Sequence, residues 1–159
     1  MCFLALTSAD PADWRAQVDS YKTAAREQYG REAQVWIMAT IVQRNTNAEA
    51  DAALRRIAVD QADHDSVEAW MQERALNSKG MSAQTRDVLR LRAAAGAGGS
   101  ILCGDAERVA DQIQVVSDAG IDGVLVGYVD FEDGLGRLAK DLLPLLEQRG
   151  LREPFAPLG

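Results

Sequence analysis

The stretch VWIMATIV at residues 35–42 decides the fold of this chain. Every side chain in it except that of Thr40 is apolar, and five of its eight residues are β-branched. A strand with one face in water alternates apolar and polar residues, whereas a strand covered on both faces is apolar throughout. The stretch therefore predicts a buried strand of a parallel sheet.

Similar apolar runs lie on both sides of this strand along the chain. Residues 2–6 (CFLAL) and 121–128 (IDGVLVGY) predict two more buried strands, and residues 101–103 (ILC) predict a short one. Helical patterns separate these runs. Alternation of strands and helices is typical of right-handed β/α units on a parallel sheet, so the chain is predicted to be α/β.

The predicted helices carry recognisable end signals. Ser8 or Asp10 is placed to cap the first helix, and Pro11 suits its first turn. Thr46 and Glu49 match a capping box. Further signals are Asp105 as a cap, Gly30, Gly120 and Gly150 as helix ends, and Pro144 as a residue that kinks or shortens the last helix.

One domain is predicted over residues 1–150, followed by an irregular tail at 151–159 that contains two prolines. Residues 61–99 are interpreted as an insertion. Its first part is polar and mostly helical with a break at Gly80, and its last part is the glycine-rich loop GAGGS at 96–100.

Composition excludes several classes of protein. The net charge is −7, and no stripe of lysine and arginine indicates nucleic-acid binding. No apolar run approaches the ~20 residues that span a bilayer, and the first ten residues lack the basic start of a signal peptide. Two cysteines, Cys2 and Cys103, indicate no disulfide framework, so a cytoplasmic location is expected.

The order and spacing of several motifs resemble the luciferase-like flavin-dependent monooxygenases. These motifs are GREAQVWIMATIVQRNTNAEA from residue 30, ILCGDAERVADQI from 101, SDAGIDGVLVGYVDFEDGL from 117 and LLPLLEQRG from 142. The nearest branches are the pyrimidine, dimethylsulfone and alkanesulfonate monooxygenases. The resemblance covers nearly the whole chain and corresponds to the last three strands of the family's (β/α)8 TIM barrel, with their helices and a helical insertion.

The resemblance implies a two-component enzyme, in which a separate flavin reductase supplies reduced FMN. The flavin then reacts with oxygen and oxygenates a small organic molecule, while the protein positions and shields it. A complete barrel needs about 250 residues, and this chain has 159. The family's flavin-phosphate loops belong to the first five strands, so the chain alone is expected to be inactive.

Barrel active sites lie at the carboxyl ends of the strands. That rule points to Thr7, Thr40 and Tyr128 as candidate cofactor-binding residues, with Ser8 and Gly127 beside them. The alternative is that Thr7 is a loop hydroxyl and Tyr128 fills the barrel mouth.

The chain departs from the alkanesulfonate branch, because that branch's tryptophan, arginine and histidine are replaced by Leu6, Met38 and Thr40. The alkanesulfonate branch also has a loop that carries an arginine. The corresponding residues of this chain, 93–99, contain no arginine, although Arg90 and Arg92 come just before them.

Other polar features favour structural interpretations. The GAGGS loop lacks the spacing and lysine of a phosphate-binding loop, so a lid or linker is favoured. Cys103 is interpreted as a core residue and His64 as a solvated surface residue, with no metal site. The acidic residues Asp130, Glu132 and Asp133 are interpreted as the cap of the last helix rather than a cation site.

Two hypotheses of function remain. The chain is either the C-terminal part of a flavin-dependent monooxygenase or a non-catalytic barrel module that self-association stabilises. Because an open sheet exposes unpaired edges, a homo-oligomer is expected in the second case.

Overall fold

A four-stranded parallel sheet with β2 at its centre forms the middle of the computed structural model, which describes residues 1–6, 8, 10–74, 81–96 and 98–154. The strands are β1 (Cys2–Phe3), β2 (Val35–Gln43), β3 (Ser100–Gly104) and β4 (Gly123–Gly127). β2 pairs in parallel with each of the other three. The predicted α/β class and the parallel arrangement of the apolar runs are confirmed.

Strand β1 is shorter than the predicted run at residues 2–6. β4 pairs with β2 from Trp36 to Thr40, so β1 and β3 must share the other edge of β2. β3 occupies that edge from Ala39 onwards. The chain after Phe3 keeps one ladder bond, from Leu4 N to Trp36 O at 2.8 Å. It then leaves the sheet, because the edge ahead of it is taken.

Seven α-helices are described, and two of them run directly into π-helical turns. They are α1 (Pro11–Tyr29), α2 (Asn47–Arg55) continuing as a π turn (Arg56–Asp60), α3 (His64–Glu73), α4 (Ala83–Gly96), α5 (Ala106–Asp118), α6 (Phe131–Arg137) continuing as a π turn (Leu138–Leu142), and α7 (Leu143–Gln148). The predicted insertion is thus helical in α3 and α4, and Gly80 lies outside the described residues.

The predicted helix ends are largely confirmed. Asp10 accepts from Ala12 N, and Pro11 is the first residue of α1. Thr46 and Glu49 form the reciprocal capping box of α2, and Asp105 accepts from Arg108 N. Gly30, which closes α1, has φ 61°, a left-handed value that glycine adopts without strain.

The last helical segment is interrupted next to Pro144, as predicted. A proline has no N–H to bond to the carbonyl four residues earlier. The helix widens to five-residue spacing over Leu138–Leu142, and α7 then begins with Pro144 in its first turn. The interruption leaves Leu142 fully buried, so the helix still contributes to the core.

The two faces of the sheet differ in burial over the first part of β2, whereas Thr40 and Val42 near its end are buried although they lie on the less covered face. Val35, Ile37, Ala39 and Ile41 of β2 face the helices and are at most 4% exposed. The alternate residues point the other way, because successive side chains of a strand lie on opposite faces. On that side, Phe3, Met38 and Leu125 are 50%, 45% and 48% exposed, and Trp36 is half-buried. We call these four residues the open face.

Among the described residues, no helix has both the length and the apolar character required to cross a membrane.

Candidate functional site

A groove of about 480 Å³ lies at the carboxyl end of the sheet, next to the open face. Its walls come from the ends of β2 and β4, from the end of α4 and from the π turn after α2. The lining residues used in the argument below are Met38, Thr40, Gly96, Gly127 and Tyr128. The structure therefore brings two of the three predicted cofactor-binding residues, Thr40 and Tyr128, to one groove.

Thr40 is buried in the floor of the groove, with 6% of its surface exposed. Its hydroxyl donates a hydrogen bond of 3.3 Å to the carbonyl of Gly96, the last residue of α4. A Cβ at Gly96 would lie 2.5 Å from Thr40 Oγ1, so only glycine allows this approach. Thr40 thus anchors the end of α4 over β2, and its role in holding a cofactor stays a prediction.

Tyr128 packs between the end of β4 and helix α6. Its ring meets the ring of Phe131 edge-on, with 5.9 Å between centroids. Its hydroxyl is buried and has no hydrogen-bond partner among the described residues. Burial raises the pKa of Tyr128 above its ordinary value, because the phenolate would lose its solvation. A buried phenol with an unused donor is available to a ligand or an ordered water.

The third predicted residue, Thr7, lies outside the described residues, and its proposed role stays a prediction. Its neighbours show what surrounds the end of β1. Arg92 of α4 donates a hydrogen bond to the carbonyl of Leu6, and Ser8 Oγ donates to Asp13 Oδ2 at 2.6 Å. Burial lowers the pKa of Arg92, because its guanidinium is partly removed from water. Arg92, which lies in the predicted insertion, thus contacts the segment that follows β1.

The glycines of the GAGGS loop make room for close packing. A Cβ at Gly99 would lie 2.9 Å from the carbonyl oxygen of Met38, and one at Gly98 would lie 2.3 Å from the Trp70 ring. Gly98 also has φ 81°. Close packing therefore explains why glycine occurs at positions 98 and 99, and no bound phosphate is needed to explain it. Ala97 lies outside the described residues.

Residues outside the predicted set line a second region at this end of the sheet. Arg44, which directly follows β2, lies 3.4 Å from the Asp133 carboxylate, and Arg137 lies 2.9 Å from the same carboxylate. Asp130 accepts from Asp133 N and caps α6, as predicted. The sequence signal for this cluster was an arginine placed immediately after a strand, a position that the barrel rule singles out.

The remaining candidates occupy structural positions. Cys103 is buried, and burial together with the nearby Asp51 raises the pKa of its thiol to about 11. Such a thiol is protonated near neutral pH and is a poor nucleophile. His64 is exposed at the start of α3. Both interpretations made from the sequence are confirmed.

No family profile and no curated protein sequence matches this chain. Solved structures do. A riboflavin lyase (RcaE), solved with modified FMN and riboflavin, has a TM-score of 0.74 and 22% identity over 98% of this chain and 40% of its own. DmoA from Hyphomicrobium sulfonivorans has a TM-score of 0.75 and 17% identity over 98% of this chain and 39% of its own.

An EDTA monooxygenase (EmoA) from a Chelativorans species has a TM-score of 0.70 and 23% identity over 93% of this chain and 39% of its own. This chain thus spans about two-fifths of the length of the structures it matches. Of these three structures, one is named a monooxygenase and another was solved with modified FMN, and the resemblance drawn from the sequence is confirmed at the level of the fold.

Proposed function

We propose that this chain is the C-terminal part of an FMNH2-dependent, two-component monooxygenase. In the complete enzyme it would act with O2 on a small organic substrate of the pyrimidine, sulfone or sulfonate type, and a flavin reductase would supply the reduced FMN. β1, β2 and β4 would be the last three strands of a (β/α)8 barrel, and the open face would line its interior.

The groove at the carboxyl end of β2 and β4 carries this proposal. Its volume of about 480 Å³ and its mostly apolar walls suit a flat aromatic ring system. Met38 and Leu125 offer apolar contact, and Thr40 and Gly127 place polar atoms at the strand ends, where barrel enzymes bind their ligands. These residues would bind and orient the flavin and keep water from it.

The same groove is too open to hold a cofactor tightly. Met38 and Leu125 are about half exposed, and a small-molecule site normally encloses most of its ligand. The missing walls would come from the other strands of the barrel. Alone, the chain would give weak FMN binding and no turnover.

We therefore expect purified chain to show no saturable change in FMN fluorescence at micromolar FMN. At millimolar FMN, amide resonances should shift at the groove, around Met38, Thr40 and Gly127. Replacing Met38 with aspartate should abolish these shifts, because it places a charge where the apolar ring would lie. The matched control is Val115→Asp, which charges an exposed residue of α5 away from the groove.

Two outcomes would contradict the proposal. Micromolar or tighter FMN binding would refute the incomplete site. Shifts that are absent from the groove, or that are equal in the Met38→Asp chain and the wild-type chain, would refute the flavin site itself.

The open face also favours a second candidate function, a non-catalytic module that pairs with another copy of itself. Exposed apolar side chains on a parallel sheet are a surface that association would cover. Sedimentation separates the two candidates. A compact monomer at all concentrations argues against self-association, whereas a stable dimer that shields Phe3 and Leu125 favours it.

A further inference from the structure

Three arginines line one solvent-facing groove between the loop after β2, helix α2 with its π turn, and helix α6. Arg44, Arg56 and Arg137 line this groove, which has a volume of about 460 Å³. Its one acidic lining residue is Glu49, whose carboxylate already accepts from Thr46 N in the capping box. In a chain of net charge −7, this groove is a local concentration of positive charge.

Two of the arginines are held in place by shared partners. Arg44 Nη1 lies 3.4 Å from Asp133 Oδ2, and Arg137 Nε lies 2.9 Å from Asp133 Oδ1. Arg137 Nη1 also donates to Asn45 Oδ1 at 2.9 Å. Two guanidinium groups thus share one carboxylate, which leaves one positive charge uncompensated. Because both contact the same small group, one tetrahedral oxyanion can reach both.

Arg56 contributes a third guanidinium to the lining of the groove. It forms no ion pair within the part of the chain that the structure describes. Its neighbour Arg55, by contrast, lies 3.7 Å from Asp60. The charge of Arg56 is therefore available to a ligand.

A second observation points to a ligand or water behind the arginines. Arg44, Asp133, Arg137 and Tyr128 line a cavity of about 20 Å³, which is room for roughly one water-sized group. The buried hydroxyl of Tyr128 has no partner among the described residues. Tyr128 lines both this cavity and the 480 Å³ groove, and an oxygen atom within hydrogen-bond distance of its hydroxyl would supply the missing partner.

We propose that Arg44, Arg56 and Arg137 form a binding site for an oxyanion, namely the phosphate or sulfonate group of a ligand. Guanidinium groups suit such groups because their planar forks match two oxygens at once. The site depends on these side chains alone and does not require the flavin proposal. Because the family resemblance assigns the flavin-phosphate loops to the first five strands, the expected ligand is the anionic group of another small molecule, and FMN phosphate is the alternative outcome of the test.

The test is calorimetric titration of the chain with inorganic phosphate, at an ionic strength held constant with chloride. We expect saturable binding at millimolar phosphate or below. Arg56→Gln leaves the contacts of Asp133 intact and should weaken binding about tenfold, as the loss of one charged contact does. Arg44→Gln should weaken it similarly, and Arg55→Gln, which removes a 76% exposed arginine of the same helix, should leave it unchanged.

No measurable phosphate binding would overturn the proposal, and so would equal weakening in the Arg55→Gln and Arg56→Gln chains. Comparison of FMN with riboflavin separates the two sources of the anion. If the site takes the flavin's phosphate, FMN binds more tightly than riboflavin and Arg56→Gln removes the difference. If phosphate binds but FMN and riboflavin behave alike, the anion belongs to another ligand. Loss of all flavin binding with phosphate binding intact would refute only the flavin proposal.

Discussion

Replacing Ile37 with alanine is expected to lower the free energy of unfolding by about 2–5 kcal/mol. The Ile37 side chain is fully buried, and it belongs to a core cluster that includes Leu4, Val18 and Val116. Truncation removes apolar contacts and leaves a cavity that rigid neighbours cannot fill. The same change one residue later, Met38→Ala, should cost less than about 1 kcal/mol, since exposed side chains contribute little.

Chemical denaturation of the two variants measures this difference directly. The pair is matched, because both changes truncate a large apolar residue in the middle of β2 to the same side chain. Equal losses of stability at positions 37 and 38 would show that both faces of the sheet are packed within one chain, contrary to the open face.

Replacing Gly134 with alanine is expected to destabilise the chain by about 1–3 kcal/mol. A Cβ at this position would lie 2.3 Å from Tyr128 Cδ1 and 2.4 Å from Cγ. The aromatic ring is rigid and cannot yield as a flexible side chain would. Helix α6 would have to move away from β4, and the edge-on contact of Tyr128 with Phe131 would be disturbed.

The control for this prediction lies two residues away in the same helix. A Cβ at Gly136 would meet nothing within 4 Å, so Gly136→Ala should be neutral or stabilise by up to about 1 kcal/mol through helix propensity. Thermal denaturation of both variants tests the pair. If Gly134→Ala stabilised the chain as Gly136→Ala does, the close packing of α6 on Tyr128 would be wrong.

The parallel sheet could be predicted from the sequence because its signal is local. Residues 35–42 are apolar at both even and odd positions, which is the pattern of a strand that is covered on both faces. In this chain Trp36 and Met38 nevertheless lie on the open face. Capping was predictable for the same reason. Thr46 and Glu49, or Asp105 alone, satisfy end amides within three residues, so no distant part of the chain is involved.

The end of β1 was not predictable, because it depends on a contact between distant segments. Leu4 and Leu6 are as apolar and as buried as strand residues. The chain leaves the ladder after Leu4 because Ser100–Gly104, about a hundred residues away, takes the same edge of β2. A pattern within residues 2–6 contains no information about that competition.

The candidate site was predicted in part. The barrel rule places Thr40 and Tyr128 at strand ends, and the structure brings both to one groove. It could not show that Thr40 bonds to Gly96, since that contact depends on where α4 ends. The arginine cluster was missed because Arg44 and Arg137 are far apart in sequence and come together at Asp133 only in the folded chain.

The sheet has one face covered by its own helices and a second face that is open around Met38 and Leu125, as a segment of a barrel would have. The most direct measurement is the rate at which a thiol reagent modifies Met38→Cys and Ile37→Cys, each made with Cys2→Ser, at low protein concentration. Cys103 remains as a slow internal reference, because it is buried and its thiol pKa is about 11. We expect the thiol at position 38 to react about a hundredfold faster than that at 37, whose modification requires unfolding. Equally slow modification at both positions would mean that the chain covers this face itself and is not an open segment of a barrel.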